Sequence, residues 1–266
     1  MSSSTRSAVV ADPAGTLLAL DFDGTLSHIV DDPTIAFAHP DSIEALSRLG
    51  SVLGQIAIIT GRPVRQALEL GGFVDRAGFE RLLIYGQYGA EKWDAANVST
   101  IEPERPAAIS ELAERLPAWL AEHGAAAARL EDKGLAIAIH TRGIDPQVIS
   151  DLAGPVTELA VELGLAVEPG RQVIELRSPG HDKGDALREV VAALGARQVI
   201  FAGDDLGDLP AFDAVEELRA SGIDGLLICS ASTEQDALVA RSDLVLDGPD
   251  AVAAWLTELA DELAPA

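Results

Sequence analysis

Two aspartates directly follow an apolar run in the segment LLALDFDGTLSHIV, residues 17–30. Asp21 and Asp23 stand two positions apart, so in an extended backbone their side chains can point to the same side and share one site. A carboxylate at the end of a buried strand is costly unless a cation, a ligand or solvent compensates it. Mg²⁺ is the natural cation, because it prefers oxygen ligands and usually takes one or two carboxylates together with a substrate phosphate. The spacing therefore predicts a magnesium site at a strand end.

A second acidic cluster follows another apolar run, in the segment AGDDLGDLPAF. Asp204 comes directly after the run, and Asp208 lies in the loop behind it. We predict that Asp21, Asp23, Asp204 and Asp208 are the metal ligands. Asp208 has a second interpretation, in which it holds a nearby lysine instead of the metal, and the sequence leaves both open.

Two further segments carry groups that can hold phosphate oxygens. IITGRP places the Thr60 hydroxyl at another strand end, where Gly61 allows a close backbone approach and Pro63 begins a helix whose N-terminus favours anions. GHDKGDALREV places Lys183 at the start of a further helix. Thr60 and Asp204 could also be helix N-caps, a role that is compatible with catalysis.

These residue types together predict a phosphoryl-transfer site. Asp21 would be a carboxylate nucleophile and Asp23 a general acid and base. Thr60 and Lys183 would anchor the phosphoryl oxygens. Catalysis is therefore predicted for Asp21, Asp23, Thr60 and Lys183.

Composition limits the class of protein. The 266 residues are 48% hydrophobic, enough for a real core, and the formal net charge of −24 opposes binding to DNA or RNA. No apolar run approaches the ~20 residues of a membrane helix, and the start lacks the apolar stretch of a secretory signal, so we expect a cytoplasmic protein without a membrane partner. The single cysteine, Cys229, lies in an apolar run and is predicted to be a buried thiol. A monomer is expected, since no long apolar stripe is left unassigned.

The apolar runs alternate with helical patterns, which predicts an α/β fold with a parallel sheet covered on both faces. Ligands in such sheets bind at the carboxyl ends of the strands, where the candidate residues cluster. The predicted core strands are TLLAL, QIAIIT, RLLIYG, QVIFAG, GLLICS and LVL.

The middle of the chain has another pattern. From residue 101 to 179 a helix and two strands occur twice in succession, which predicts a small, mostly antiparallel α/β module inserted into the larger fold. The predicted division is residues 1–97 and 180–266 for the core and residues 98–179 for the insert.

The segments DFDGTL, TGRP, DKG and GDDLGD, in this order, resemble the four signature motifs of the haloacid dehalogenase superfamily of phosphatases. The insert after the second motif resembles the C2-type cap of that superfamily. The chain is most similar to the trehalose-6-phosphate phosphatase family, on the segments LDFDGTLSHIVDDP, YGQYGAEKWD, KGLAIAIHTR, GRQVIELRSPGHDKGDALRE and AGDDLGDLPAF. Thr141 stands where the family commonly has tyrosine, and LGDLP replaces the more common Thr-Asp-Glu.

The resemblance implies a Rossmann-like core with a cap, Mg²⁺ as cofactor, and hydrolysis of trehalose 6-phosphate through a phosphoaspartate on Asp21. It also implies a cap that closes over the sugar and a functional link to a trehalose-6-phosphate synthase. The residues that it assigns to substrate binding are Gly61, Arg62, Glu91, Lys133, Arg142 and Glu175. Arg142 and Glu175 could instead form a cross-strand salt bridge, and His140 fits a structural role. The alternatives in function are a phosphatase for another sugar phosphate, such as sucrose phosphate or a glycosyl-phosphoglycerate, and a non-catalytic sugar-phosphate sensor or synthase partner.

Overall fold

The chain divides into two units, and the computed structural model describes residues 3–170, 173–231 and 236–264. The first unit comprises Met1–Glu102 and Asp182–Ala266, and the second comprises Pro103–His181. The second unit is thus an insertion in the sequence of the first.

The first unit is built on an eight-stranded sheet with the order β12-β11-β10-β1-β2-β3-β4-β5. The six strands from β12 to β3 run parallel, which confirms the predicted parallel sheet. Each of the six predicted core runs forms one of them. Their bounds are Thr16–Leu20 (β1), Gln55–Ile59 (β2), Leu83–Gly86 (β3), Gln198–Gly203 (β10), Asp224–Ser230 (β11) and Leu244–Leu246 (β12).

Helices cover both faces of this sheet. Successive residues of β1 alternate between two apolar cores, with Leu18 and Leu20 in one and Leu17 and Ala19 in the other. A strand that is buried on both faces reads as a continuous apolar run, which is why the sequence identified it. The helices of the unit are Ser3–Ala11 (α1), Pro40–Gly50 (α2), Val64–Gly71 (α3), Lys183–Leu194 (α6), Leu209–Ala220 (α7), Asp236–Val239 (α8) and Gly248–Glu262 (α9).

Cys229 lies in the second of these cores and is fully buried, as predicted. Burial raises the pKa of its thiol to about 11. Within the described ranges, none of the helices has the length and apolar character needed to cross a membrane.

Two antiparallel strands, Glu91–Asp94 (β4) and Ser99–Ile101 (β5), extend the sheet beyond β3. The insert predicted from the sequence begins at residue 98, but the structure places β5 in the sheet of the first unit, with Trp93 paired to Thr100. Every residue of β5 is exposed, so the strand carries no apolar run that could mark it as part of the core. The division by contacts therefore falls after Glu102, whereas the sequence predicts an insert from residue 98.

In its described residues, 103–170 and 173–181, the second unit contains two helices and a four-stranded antiparallel sheet with the order β6-β7-β9-β8. The predicted repeat of one helix and two strands is present twice. One face of the sheet, with Ile137, Ile139 and Leu176, packs in an apolar core with residues of the helices. The element bounds are Ala107–Glu122 (α4), Arg129–Asp132 (β6), Ala136–His140 (β7), Pro146–Leu163 (α5), Ala166–Gly170 (β8) and Val173–Arg177 (β9).

Candidate active site

A buried lysine joins two buried aspartates at the carboxyl end of the parallel sheet. Asp21 follows the last residue of β1, and its N–H donates to the carbonyl of Ala202 in β10 over 2.9 Å, which continues the ladder past the strand. Lys183 begins α6, and its Nζ donates to Asp21 Oδ1 over 2.6 Å and to Asp208 Oδ1 over 2.7 Å. All three side chains are almost completely buried. The first and third sequence motifs therefore meet through a direct ion pair.

Asp208 also shapes the loop that follows β10. Its Oδ2 accepts the N–H of Asp204 at 2.9 Å and that of Asp205 at 3.1 Å, while its Oδ1 accepts from Lys183. Holding the lysine was one of the two interpretations left open for Asp208, and these contacts agree with it. Carboxylate oxygens of Asp21, Asp204 and Asp208 also lie within 4.8 Å of one another, so a ligand role for Asp208 remains compatible with the geometry.

The charges of this cluster do not balance. Three carboxylates and one ammonium group leave an excess of two negative charges when all four are ionised. Burial raises the pKa of Asp21 well above its ordinary value, although Lys183 acts in the opposite direction. Burial and the neighbouring carboxylate of Asp21 likewise raise the pKa of Asp204. A divalent cation would match the excess charge, and an all-oxygen donor set is what Mg²⁺ prefers.

Lys183 stays charged in this setting. Burial alone would lower its pKa, but the carboxylates of Asp208 and Asp21 raise it well above the ordinary value of a lysine. The ammonium group is therefore a fixed positive charge at the end of β1.

Gly24 makes room for Asp204, a requirement that the sequence analysis did not identify. Its φ of +73° suits glycine, and a Cβ at this position would lie 2.0 Å from Oδ2 of Asp204. The Ser230 hydroxyl donates to the Gly24 carbonyl over 2.6 Å and fixes the turn from the side of β11. The glycine of DFDGTL was the available signal, since a glycine after an aspartate pair marks a close approach of backbone to another group.

The loop after β2 is fixed through backbone contacts. The Thr60 N–H donates to the Tyr85 carbonyl over 2.9 Å, and the Thr60 hydroxyl oxygen accepts the N–H of Arg62 at 3.1 Å. The hydroxyl thus closes a local turn at the carboxyl end of a strand adjacent to β1. It does not act as a helix N-cap, because α3 begins at Val64 and its N-cap residue is Pro63. Gly61 is needed here, because a Cβ would come within 2.9 Å of the Tyr88 ring.

Tyr88 belongs to a strained turn that sequence reasoning missed. Gln87 and Tyr88 both have positive φ, 45° and 61°, a conformation that costs non-glycine residues roughly 1–2 kcal/mol each. Two hydrogen bonds hold the turn, from the Gln87 N–H to the Arg62 carbonyl and from the Tyr88 N–H to the Thr60 carbonyl, each at 2.9 Å. The turn therefore packs its tyrosine against the TGRP loop. The spacing of residues in the sequence did not predict the turn, because its conformation depends on contacts with residues more distant in the chain, Thr60 and Arg62.

Asp23 and Arg62 form a two-pronged ion pair. Arg62 Nε donates to Asp23 Oδ2 and Arg62 Nη2 to Asp23 Oδ1, both over 2.6 Å. The remaining nitrogen, Nη1, donates to the Pro33 carbonyl over 2.9 Å. Arg62 is predicted from the sequence to bind substrate, but the structure engages all three of its nitrogens with the chain itself.

Glu91 also has a local role. Its Oε2 accepts the N–H of Val64, the first residue of α3, at 2.7 Å, and its Oε1 accepts from the side chain of Gln87. The carboxylate therefore caps α3 and links it to the strained turn. The sequence assigns Glu91 to substrate binding, and no contact in the described part of the chain bears on that assignment.

In the second unit, the partly buried Lys133 forms an ion pair with the buried Glu175. Glu175 lies on β9 opposite Ala138, on the sheet face away from the apolar core, and its Oε1 is buried without a hydrogen-bond partner among the described residues. A buried polar atom without a partner is costly and suits a site for a ligand donor. The His140 ring lies 2.8 Å from the Glu131 carboxylate, which agrees with a structural role. Arg142, two residues after the end of β7, is exposed.

Solved structures with a similar fold include one described as haloacid dehalogenase-like. A haloacid dehalogenase-like hydrolase from Bacteroides thetaiotaomicron has a similar structure, with a TM-score of 0.60 at 17% identity over 92% of this chain and 99% of that one. The C-terminal domain of a trehalose-6-phosphate phosphatase from C. albicans aligns with a TM-score of 0.74 at 19% identity, over 96% of each chain. At these identities the likeness concerns the fold alone.

The family follows from sequence comparison. A model of the trehalose-phosphatase family matches residues 19–243, so the chain belongs to that family. It is 32% identical over 257 residues to the trehalose-phosphate phosphatase of Mycobacterium marinum, a match that covers 91% of this chain and 61% of that protein. It spans only 18% of the length of two Mycobacterium tuberculosis relatives, each described as an uncharacterized glycosyl hydrolase.

Proposed function

We propose that this protein is a Mg²⁺-dependent phosphatase that hydrolyses trehalose 6-phosphate to trehalose and phosphate. The observation that carries the proposal is the buried cluster of Asp21, Asp204, Asp208 and Lys183, which combines a strand-end carboxylate with a fixed cation and a donor set for a divalent metal. Membership of the trehalose-phosphatase family supports the choice of sugar.

In the first step, Asp21 attacks the phosphorus with a carboxylate oxygen while the bond from phosphorus to the sugar oxygen breaks. Asp23 gives its proton to the departing oxygen, and trehalose leaves. Lys183 and the Thr60 hydroxyl offset charge on the phosphoryl oxygens. The products of this step are the free sugar and a phosphoaspartate at Asp21.

In the second step, Asp23 accepts a proton from water, whose oxygen attacks the phosphorus. The bond from phosphorus to the Asp21 oxygen breaks, and phosphate leaves. Asp21 must be ionised to act as nucleophile, so Lys183 has to counter the effect of burial on its pKa. A divalent cation held by Asp21, Asp204 and Asp208 would add positive charge for the same purpose. Asp23, which the sequence predicts as a further ligand, is outside that group of carboxylates and has both oxygens paired with Arg62.

The sugar requires groups that read hydroxyls, and the second unit offers them. We assign this role to the Lys133–Glu175 pair, because the partnerless Oε1 of Glu175 can accept a hydrogen bond from a hydroxyl. Arg142 is assigned the same role from its motif position alone. A site built this way discriminates against sugars that leave the buried oxygen unpaired.

Phosphate release tests the proposal. The panel is trehalose 6-phosphate, sucrose 6-phosphate, glucose 6-phosphate and 4-nitrophenyl phosphate, with and without Mg²⁺, for the wild type, Asp21→Asn and the control Asp41→Asn, whose exposed carboxyl lies in the first turn of α2. We expect selective, magnesium-dependent release from trehalose 6-phosphate that Asp21→Asn abolishes and Asp41→Asn retains. Preference for another sugar would retain the chemistry and reject the assigned substrate. Release from none of these substrates would reject the phosphatase and favour a non-catalytic sugar-phosphate sensor.

A further inference from the structure

We propose that Arg62 is a positioning residue for Asp23, which it orients as proton donor to the leaving group, and that it does not bind the phosphate. This inference rests on the proposed function, since it assigns Arg62 a part in the first step. It replaces the substrate-binding role that the sequence resemblance implied.

The contacts of the guanidinium group carry the inference. Both Asp23 oxygens receive a hydrogen bond of 2.6 Å from Arg62, and the third nitrogen is used by the Pro33 carbonyl at 2.9 Å. A planar guanidinium that meets a carboxylate with two parallel bonds fixes the plane of the carboxyl group as well as its position. Arg62 is therefore a clamp on Asp23, with its third bond anchored to the chain.

The backbone of Arg62 is held as firmly as its side chain. Its N–H donates to the Thr60 hydroxyl oxygen over 3.1 Å, and its carbonyl accepts the N–H of Gln87, the first residue of the strained turn, at 2.9 Å. The side chain is 9% exposed, and its guanidinium carbon lies 5.6 Å from the centre of the Phe22 ring. The strained turn of Gln87 and Tyr88 therefore helps to fix the backbone of Arg62, from which the guanidinium group reaches Asp23.

Asp23 needs such a clamp more than Asp21 does. Its side chain is 39% exposed, whereas that of Asp21 is 5% exposed and held by Lys183. Besides these two bonds from Arg62, the Asp23 carboxylate accepts one from the Ser27 hydroxyl at 3.5 Å, the limit of a hydrogen bond. Removal of the guanidinium would let the Asp23 carboxyl rotate, and proton transfer depends on its direction.

The leaving group separates this role from phosphate binding. A sugar alkoxide departs poorly unless it is protonated, whereas 4-nitrophenolate departs without a proton. A residue that binds phosphate would slow both substrates to the same extent, because both carry the same phosphoryl group. A residue that orients the proton donor would slow the sugar phosphate much more.

The experiment is a single-turnover measurement of leaving-group release with enzyme in excess, which isolates the first step. Trehalose 6-phosphate and 4-nitrophenyl phosphate are compared for the wild type, Arg62→Lys, Arg62→Gln and the control Arg65→Lys, whose exposed side chain pairs with Glu69 one turn away. We expect the ratio of the sugar rate to the aryl rate to fall about 100-fold in both Arg62 variants, within the range of general acid catalysis, and to be unchanged in Arg65→Lys. In an Asp23→Asn background, Arg62→Lys should have no further effect on this ratio.

Each outcome decides the matter. An equal loss for the two substrates, in a variant whose unfolding midpoint matches the wild type, would overturn the positioning role and leave the proposed function intact. A further fall of the ratio in the Asp23→Asn background would also overturn it. If the wild type released no leaving group from either substrate, the proposed function would fail and the role of Arg62 with it.

Discussion

Lys183 is the single cation of the buried cluster, so replacing it tests the charge balance of the site directly. In Lys183→Met the excess of negative charge grows from two to three, and Asp21 and Asp208 lose hydrogen bonds of 2.6 and 2.7 Å. Removing one partner of a buried ion pair costs about 3–5 kcal/mol, because the other charge stays buried without compensation. We expect the free energy of unfolding of the metal-free protein to fall by about that amount near neutral pH.

Urea unfolding in EDTA and in excess Mg²⁺ measures this effect. The matched control is Lys92→Met, since Lys92 pairs with Glu189 over the same 2.6 Å but the two side chains are 27% and 55% exposed. Such a pair contributes about 1 kcal/mol or less. Mg²⁺ should stabilise Lys183→Met more than it stabilises the wild type, because the cation then compensates the larger excess of charge. Equal losses in the two lysine variants, or a magnesium effect that Lys183→Met does not enlarge, would refute the charge account of the site.

Two further perturbations test particular contacts. Gly24→Ala places a Cβ 2.0 Å from Oδ2 of Asp204, whereas Gly248→Ala meets the same backbone requirement, φ +74° against +73°, with no atom within 4 Å. Both variants should lose about 1–2 kcal/mol of unfolding free energy from backbone strain. Only Gly24→Ala should also weaken the stabilisation of the protein by Mg²⁺. Equal magnesium effects in the two variants would contradict the close contact between Gly24 and Asp204. Burial, together with the Glu189 carboxylate, raises the pKa of Tyr85 to about 12, so the folded protein holds the phenol neutral where the unfolded chain ionises near pH 10. This contribution to the free energy of unfolding is present below about pH 10 and is lost as the pH rises towards 12. An absorbance titration of the phenolate in the wild type and in Tyr85→Phe measures it. Ionisation of Tyr85 near pH 10 in the folded protein would contradict it.

The parallel sheet could be predicted because its strands are buried on both faces. Thr16–Leu20 and Gln198–Gly203 are buried at every position, so each is written as one apolar run. The hairpin of Glu91–Asp94 and Ser99–Ile101 escaped prediction, because it is half-buried or exposed throughout and has no such run. Edge strands of this kind are specified by pairing with a neighbour, which the order of residues alone does not reveal.

The candidate site divides in the same way. Asp21 and Lys183 were predicted as members of one site, because phosphoryl transfer needs a nucleophile and a cation for the phosphoryl oxygens. The structure joins Asp21 at the end of β1 to Lys183 at the start of α6 by a direct hydrogen bond. The clamp of Arg62 on Asp23 and the cap of Glu91 on α3 were not predicted, since a side-chain partner is a property of packing. The motifs therefore predicted which residues share a site, whereas the pairing of their side chains could be read only from the structure.

The buried cluster is hard to explain by stability alone. Burial penalises each charge, and replacing a buried ion pair with well-packed apolar residues is often neutral or stabilising. Lys183, Asp21, Asp204 and Asp208 are nevertheless placed against fully buried strand ends, where a Cβ on Gly24 or Gly203 would collide with Asp204 or Asp208. The same low-dielectric surroundings that make the charges costly also make them act strongly on a bound anion or cation, because water does not screen them. An arrangement that is unfavourable for folding and favourable for stabilising a phosphoryl group is what a site of phosphoryl transfer requires.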